Sequence, residues 1–225
     1  IATMKPSNTI VVKIGGSVAS DPLKRKKLLK RLIALSRKNT VVLVHGGKEQ
    51  IDKFLQKFNI PTKFVNGHRY TDEKALGIVA AALNKVNQEL TAEINYLGGS
   101  AAGLSGVDSK MLKAAQIKAL GLVGDIKSVD ASLIKLLTGR NIIPVISPVS
   151  SPAKTGKFTM LNVNADSAAS AVASALKADK LIFVSDVPGI YDKNKKILPA
   201  IKISQINALK NNGTVTGGML PKLDG

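Results

Sequence analysis

The 225-residue sequence predicts an α/β sandwich in which parallel strands are covered by helices on both faces. Short apolar runs rich in β-branched residues alternate with segments of helix length. Two of these runs, residues 10–14 and 41–44, end in glycine pairs, Gly15-Gly16 and, after a histidine, Gly46-Gly47. Because ligands bind at the carboxyl ends of parallel strands, these turns predict where the functional site lies.

The composition is that of a globular chain without disulfides. Hydrophobic residues make up 44% of the sequence, and there is no cysteine, which excludes disulfides and thiolate metal sites. No apolar run has the roughly 18 residues that cross a bilayer, and residues 1–8 do not form a secretory leader. We therefore expect a cytoplasmic protein with no membrane partner and no metal site made of its own side chains.

The chain is strongly basic, with 33 lysines and arginines against 15 acidic residues and a net charge of +18. A solvated basic surface, an anionic ligand, an acidic protein partner and nucleic acid are all compatible with this charge. The lysines are scattered over helix-like stretches and are not interleaved with aromatic residues, as single-strand binding requires. Nucleic acid is therefore not expected as a partner.

The first half of the chain is predicted from the spacing of its apolar residues. Basic residues fill a helical stretch at about 22–38, and a second helix is expected near 50–58. Between residues 72 and 97 the apolar residues recur every three or four positions, which predicts one long amphipathic helix. A helix of this length either packs against a partner subunit or lies on the surface. Gly98, Gly99 and Gly103 are interpreted as its stop signal.

The second half continues the alternation of strands and helices. Residues 142–146 and 181–185 are continuous β-rich runs, and the alternation over 157–163 suggests a hairpin. Residues 165–178 predict a helix of small residues, and side chains this small indicate that another group packs closely against it.

The two glycine turns predict a pair of anion sites. A strand that ends in two glycines before a helix exposes backbone N–H groups, and the helix dipole adds to their attraction for anions. Lys13 lies in the first of these strands, and its ammonium group would reach the crevice and neutralise a phosphoryl group in transfer. The alternatives are an ordinary tight turn and a lysine that extends from an edge strand to solvent.

Three polar residues lie directly before the small-residue helix. Asn164 or Asp166 is a natural N-cap, but a cap needs only one of them. Asn162 would bind substrate, and Asp166 would orient nearby lysines. The segment SDVPGIYD at 185–192 is typical of a nucleotide-edge loop, although alone it is only a turn.

Taken in order, these motifs resemble the amino-acid kinase family and, within it, the acetylglutamate kinases. The resemblance extends over nearly the whole chain from residue 10. The matching segments are KIGG (13–16), VHGG (44–47), NGHRYTD (66–72), GLSGVD (103–108), GLVGDI (121–126), LNVNAD (161–166), SDVPGIYD (185–192) and TGGMLPK (216–222).

This resemblance implies a three-layer αβα sandwich around a mainly parallel sheet. Residues 1–150 would bind the acyl acceptor and form the dimer, and residues 151–225 would bind ATP, apparently without the C-terminal end of that part. The implied reaction transfers the γ-phosphoryl group of ATP, bound with Mg²⁺, to the side-chain carboxylate of N-acetyl-L-glutamate, as in arginine biosynthesis. Phosphoryl transfer between two anions requires positioning and positive charge rather than a nucleophilic side chain.

The resemblance also assigns roles to residues. Lys13 and Lys222 would stabilise the transition state, and Asp166 would hold both lysines. Arg69 and Asn162 would bind the acceptor. The remaining assignments are Gly46, Gly47 and Lys48 to the acceptor, and Gly15, Gly16, Asp186, Val187, Pro188, Gly189, Ile190, Tyr191, Thr214, Val215 and Thr216, with Lys13 and Lys222, to ATP.

The sequence departs from this family in three places. Lys48 stands where the family usually has a third glycine, which leaves the identity of the acceptor open. The chain stops soon after Lys222, where relatives continue. Only about nine residues precede the first strand, and this suggests an arginine-insensitive homodimer joined through residues 72–97.

One alternative function stays open at this stage. A related kinase acts on aminoadipate or glutamate attached to a small acidic carrier protein, and the charge of +18 suits such a partner. The segment RYTD (69–72) favours the carrier-linked substrate, whereas NVNAD and the single arginine of NGHR favour the free acetylated one. A non-catalytic binding protein is not favoured, because Lys13, Arg69, Asp166 and Lys222 are all present.

Overall fold

The computed structural model describes residues 8–65, 68–154, 159–187, 189–192, 194, 196–214 and 222. Its strands are β1 (Thr9–Ile14), β2 (Thr40–His45), β3 (Phe64–Val65), β4 (His68–Arg69), β5 (Ala101–Ser105), β6 (Leu112–Gln116), β7 (Val123–Val129), β8 (Ile143–Ser147), β9 (Val149–Pro152), β10 (Leu161–Val163) and β11 (Lys180–Val184). Its α-helices are α1 (Gly16–Ser20), α2 (Pro22–Ser36), α3 (Lys48–Lys57), α4 (Glu73–Tyr96), α5 (Ser132–Thr138), α6 (Ala165–Leu176) and α7 (Ile203–Asn211).

The main sheet has five strands in the order β11-β1-β2-β8-β5, and every neighbouring pair is parallel. The apolar runs predicted as strands at 10–14, 41–44, 142–146 and 181–185 form four of these five strands. Lys13 on β1 lies level with Val44 on β2 and Phe183 on β11. The strand that carries Lys13 is therefore the second strand of the sheet, not its edge.

Helices cover both faces of this sheet, which confirms the αβα sandwich. On one face, alternate strand residues such as Val12 and Leu43 pack with α2 and α4. On the other face, Val11 and Val42 pack with α5 and α6 and with residues of a smaller barrel. Burial on both faces is the reason that these strands are continuous apolar runs.

The smaller barrel was not predicted from the sequence. Strands β10, β7, β6 and β9 close on one another in that order. The strand β7 reads VGDIKSV and has two buried residues out of seven, so it lacks the apolar run that identified the main-sheet strands. The predicted hairpin at 157–163 begins with residues 157–158, which lie outside the described residues. Its remainder contains β10, which pairs antiparallel with β9.

The long helix predicted over residues 72–97 is α4. The Asp72 side chain caps it by accepting a hydrogen bond from the Ala75 amide at 2.8 Å. The helix ends at Tyr96, and Gly98 follows with a φ of 84°, a conformation that glycine adopts without strain. Gly103 was predicted to belong to this helix stop, and that prediction is wrong. It lies within β5, where a Cβ would collide with the Asn87 side chain of α4.

No described helix is both long enough and apolar enough to cross a membrane.

A buried polar pair links α4 to β2. The Asn87 Nδ2 donates to His45 Nε2 at 3.0 Å and to the Val145 carbonyl at 2.8 Å. The Nδ1 of His45 then donates to the Gly46 carbonyl at 3.1 Å, which fixes the neutral tautomer. Burial lowers the pKa of His45 from 6.5 to about 4, and the charge of Lys13 adds to this effect.

We predict that His45 makes stability depend on pH. Its pKa is lower in the folded than in the unfolded chain, so its contribution is complete above pH 6.5 and is lost as the pH falls towards about 4. The loss is at most about 3.5 kcal/mol, since each pKa unit corresponds to about 1.4 kcal/mol. Urea unfolding between pH 4.5 and 7.5 measures it. An NMR titration of the His45 ring with a midpoint near 6.5 in the folded protein would contradict the prediction.

Candidate active site

The two glycine turns lie side by side where β1 and β2 end. The Gly15 amide donates to the Val184 carbonyl and the Gly46 amide to the Ile14 carbonyl, each at 3.1 Å. These two amides are therefore used within the sheet and are not the phosphate or substrate donors that the sequence suggested. The first turns of α1 and α3 come directly after them, and first-turn amides have no partner inside their own helix.

Absence of side chains at these turns brings the surrounding elements close together. A Cβ on Gly16 would lie 3.4 Å from the Lys48 amide nitrogen, so the starts of α1 and α3 face each other. A Cβ on Gly47 would lie 3.0 Å from Leu83 of α4, and one on Gly46 would lie 3.6 Å from Ala165 of α6. The turns thus form a narrow crevice floor between α1, α3, α4 and α6.

Asp166 joins the two lysines that the sequence analysis singled out. One carboxylate oxygen lies 2.7 Å from Lys13 Nζ, and the other lies 2.6 Å from Lys222 Nζ. The Asp166 side chain is 9% exposed and the lysine side chains are 12% and 20% exposed, so the cluster is largely shielded from water. Lys222 also lies over the Phe183 ring, 5.7 Å from its centre.

The start of α6 explains why Asp166 is available for this role. The N-cap is Asn164, whose side chain accepts from the amides of Asp166 at 2.8 Å and Ser167 at 3.2 Å. Of the two residues predicted as possible N-caps, Asn164 is therefore the one that caps α6. The carboxylate of Asp166, two residues later, turns towards β1 and its lysine.

A cavity of about 220 Å³ opens beside this cluster. It contains eight of the predicted site residues: Lys13, Gly16, Gly46, Gly47, Lys48, Arg69, Asn162 and Asp166. Gly15 is not among the described residues that line it. The predicted acceptor residues thus meet Lys13 and Asp166 in one cavity, and Lys222 adjoins it through its ion pair with Asp166.

Arg69 forms one wall of the cavity through contacts that the sequence analysis missed. Its guanidinium pairs with Asp52 of α3, and its Nη1 donates to Thr62 Oγ1 at 3.4 Å. The guanidinium carbon lies 4.9 Å from the centre of the Phe64 ring. The sequence could have indicated this partner, because Asp52 lies four residues after Lys48 and hence on the same face of α3 as that predicted site residue.

Asn162 lines the same cavity from β10 of the small barrel. Its Nδ2 donates to the Thr71 hydroxyl at 3.2 Å, and its backbone belongs to β10. This hydrogen bond fixes the amide and leaves its oxygen as an acceptor for a ligand N–H group.

Of the predicted nucleotide residues, Lys13 and Gly16 line the cavity, whereas those at 186–191 follow β11 and the described ones among them do not line it. There the Ser185 hydroxyl donates to the Val187 carbonyl, and the Leu198 amide donates to the Ile190 carbonyl. The further members of this set that the structure describes are Asp186, Gly189, Tyr191 and Thr214, whereas Pro188, Val215 and Thr216 lie outside the described residues.

Within the described ranges, no group of three or more His, Cys, Asp or Glu side chains could hold a metal ion. Two ammonium groups and helix starts suit phosphate oxygens, and Mg²⁺ is commonly carried by the phosphates of its nucleotide with few protein ligands. These ammonium groups and helix starts fit the phosphate oxygens of a magnesium–nucleotide complex.

The sequence matches the amino acid kinase family over residues 8–225. Among curated proteins it is 42% identical to the acetylglutamate kinase of Endomicrobium trichonymphae, in an alignment that covers 97% of this chain and 87% of that protein. It is 40% identical to the acetylglutamate kinase of Clostridioides difficile, covering 96% of this chain and 77% of that protein.

Solved structures agree on the fold. A protein from Streptococcus mutans has a TM-score of 0.83 at 28% identity, and the match covers 96% of this chain and 87% of that one. The carbamate kinase of Giardia lamblia, solved with AMP-PNP, has a TM-score of 0.71 at 18% identity, covering 98% of this chain and 87% of that one.

We predict that the contact between Arg69 and Asp52 is energetically significant. Arg69 has a side chain that is 8% exposed, whereas Asp52 is 43% exposed, so solvent weakens the pair below the ~3–5 kcal/mol typical of buried pairs. A double-mutant cycle with Arg69→Gln and Asp52→Asn, followed by urea unfolding, should give a coupling of about 1 kcal/mol.

The pair of Lys127 with Asp125 provides the matched control, since both side chains are more than half exposed. Its cycle should give less than about 0.5 kcal/mol. Equal couplings in the two cycles would contradict the prediction.

Proposed function

This chain belongs to the amino acid kinase family, and we propose that it catalyses the acetylglutamate kinase reaction. In this reaction the γ-phosphoryl group of ATP moves to the side-chain carboxylate of N-acetyl-L-glutamate, and N-acetyl-glutamyl phosphate and ADP are formed. The observation that carries the proposal is the buried Asp166 carboxylate between Lys13 and Lys222, beside a cavity that also contains Arg69.

The chemistry explains the need for two cations. A carboxylate oxygen of the acceptor forms a bond to the γ-phosphorus while the bond from that phosphorus to the β,γ-bridging oxygen breaks. The attacking and leaving groups are both anionic, so positive charge on either side of the phosphoryl group lowers the barrier. Lys13 and Lys222 supply this charge, and the Mg²⁺ that ATP carries neutralises its phosphates.

Asp166 is a positioning residue in this proposal. Two ammonium groups repel each other, and one carboxylate that forms an ion pair with each of them overcomes the repulsion and fixes their separation. Because the cluster is largely shielded from water, these interactions are stronger than they would be at the surface.

Arg69 and Asn162 bind the acceptor. Arg69 presents a guanidinium to the α-carboxylate, and Asn162 offers its amide oxygen to the acetamido N–H. The starts of α1 and α3 provide backbone donors for phosphate oxygens. We assign the adenine and ribose to the residues after β11 and to Thr214, with Pro188, Val215 and Thr216 as further candidates.

The larger-scale assignments belong to the same proposal. Residues 1–150 would bind the acceptor and residues 151–225 the nucleotide. The exposed face of α4 would join two copies in a homodimer, and the reaction would take place in the cytoplasm. The carrier-linked alternative is not favoured, because the curated relatives are acetylglutamate kinases.

We predict that Lys13→Ala and Asp166→Ala each lower kcat by about 10²–10³-fold, with KM values changed far less. Both changes remove interactions that strengthen in the transition state. Steady-state kinetics with ATP and N-acetyl-L-glutamate measure the effect. Lys127→Ala is the control, since this lysine is exposed and pairs with Asp125 at the surface. Near-normal turnover in both site variants would count against the proposed mechanism.

We predict that the wild-type protein phosphorylates free N-acetyl-L-glutamate in preference to glutamate or aminoadipate on an acidic carrier protein. The cavity of about 220 Å³ suits a small acceptor. ADP release with each substrate, measured side by side at two ionic strengths, decides this. A higher kcat/KM with the carrier, falling steeply with salt, would overturn the assignment.

A further inference from the structure

One aromatic ring in the cavity wall lies beneath two cations. Phe64, on the two-residue strand β3, has its ring centre 6.0 Å from Lys48 Nζ and 4.9 Å from the Arg69 guanidinium carbon. The distance to Arg69 is well within the range of a cation–π contact, and that to Lys48 is at its limit. Lys48 is the first residue of α3, and its side chain lines the same cavity as Arg69.

This wall carries more positive than negative charge. Asp52 pairs with Arg69, whereas Lys48 has no carboxylate partner within the described part of the chain. Two cations thus face the cavity against one carboxylate. An anionic group of a ligand would balance the excess charge.

Lys13 and Asp166 also line this cavity, and in the proposed reaction the phosphoryl group meets the reacting carboxylate beside them. The cavity of about 220 Å³ is smaller than the ~300–1,000 Å³ usual for ligand sites, so one small acceptor bound in it would contact both groups of residues. With its reacting carboxylate beside Lys13, such an acceptor would have its remaining groups within reach of Lys48 and Arg69.

We propose that Lys48, held over Phe64 beside Arg69, binds the non-reacting carboxylate of the acceptor. Lys48 then makes the site selective for acceptors with two carboxylates over those with only the reacting one. Phe64 acts as a positioning residue that holds the two cations together in spite of their repulsion. This inference rests on the proposed function and identifies the substrate class at the same site.

The test compares Lys48→Met, which keeps most of the side-chain length and removes the charge, with Lys48→Arg, which keeps the charge. Lys57→Met is the matched control, because Lys57 is an exposed lysine at the other end of α3. Each variant is assayed with N-acetyl-L-glutamate and with 4-acetamidobutanoate, which has the reacting carboxylate but not the second one.

Lys48→Met should lower kcat/KM for N-acetyl-L-glutamate roughly tenfold, as expected for a lost hydrogen bond between charged groups. It should change kcat/KM for 4-acetamidobutanoate less than about twofold. Lys48→Arg should retain most of the activity with the dicarboxylate, and Lys57→Met should match the wild type. An equal loss with both acceptors, or no loss with either, would overturn the proposal.

Phe64 is tested by a change in KM at constant kcat. Phe64→Leu should raise the KM for N-acetyl-L-glutamate roughly threefold with kcat nearly unchanged. Phe64→Tyr, which keeps the aromatic ring, should have the KM of the wild type. A fall in kcat with both variants would indicate a structural role and contradict the positioning role.

Calorimetric binding of N-acetyl-L-glutamate separates this inference from the proposed function. If the wild type binds it more tightly than Lys48→Met but transfers no phosphoryl group, the proposed function fails and the inference stands. If both bind it equally and the wild type is an active kinase, the inference fails and the function stands.

Discussion

The site depends on one buried carboxylate that forms ion pairs with two ammonium groups at once. Asp166 holds Lys13 from the central part of the sheet and Lys222 from the end of the chain, 56 residues further on. Without it, two like charges would have to share a largely dry crevice, which is electrostatically unfavourable. This single interaction therefore joins β1 to Lys222, and in the proposed reaction it brings positive charge to the point where two anions react.

The fold provides for that interaction in three ways. The parallel sheet places the ends of β1 and β2 next to each other, and the glycine turns there admit α6 to within contact distance of Gly46. The side chain of Asn164 caps α6, so the neighbouring carboxylate is not needed for capping. The small residues Ala168, Ala169 and Ala173 are buried, and they let α6 pack closely on the sheet. Each of these features is common in folded proteins, and together they fix the position of Asp166.

The sequence predicted the parts of this arrangement that local patterns specify. Continuous apolar runs identified the main sheet, because strands covered on both faces have no polar side to interrupt them. The spacing in α4 is equally local, and the cap of α6 was predicted as either Asn164 or Asp166, of which Asn164 is the one observed. The contacts of Arg69 with Asp52 and Phe64 depend on how α3 packs against β3 and β4, and polar residues interrupt the strands of the small barrel. The hydrogen bonds of Gly15 and Gly46 likewise follow from sheet register, which the glycine pattern alone does not specify.

The most direct test of the central claim is a crystal structure with a non-hydrolysable ATP analogue, Mg²⁺ and N-acetyl-L-glutamate bound. The account predicts that both ammonium groups stay in contact with Asp166 while they approach the γ-phosphoryl group from its two sides. It also predicts that the acceptor carboxylate lies in line with the bond that breaks. A complex in which Lys13 and Lys222 contact different regions, or in which Asp166 pairs with neither of them, would contradict it.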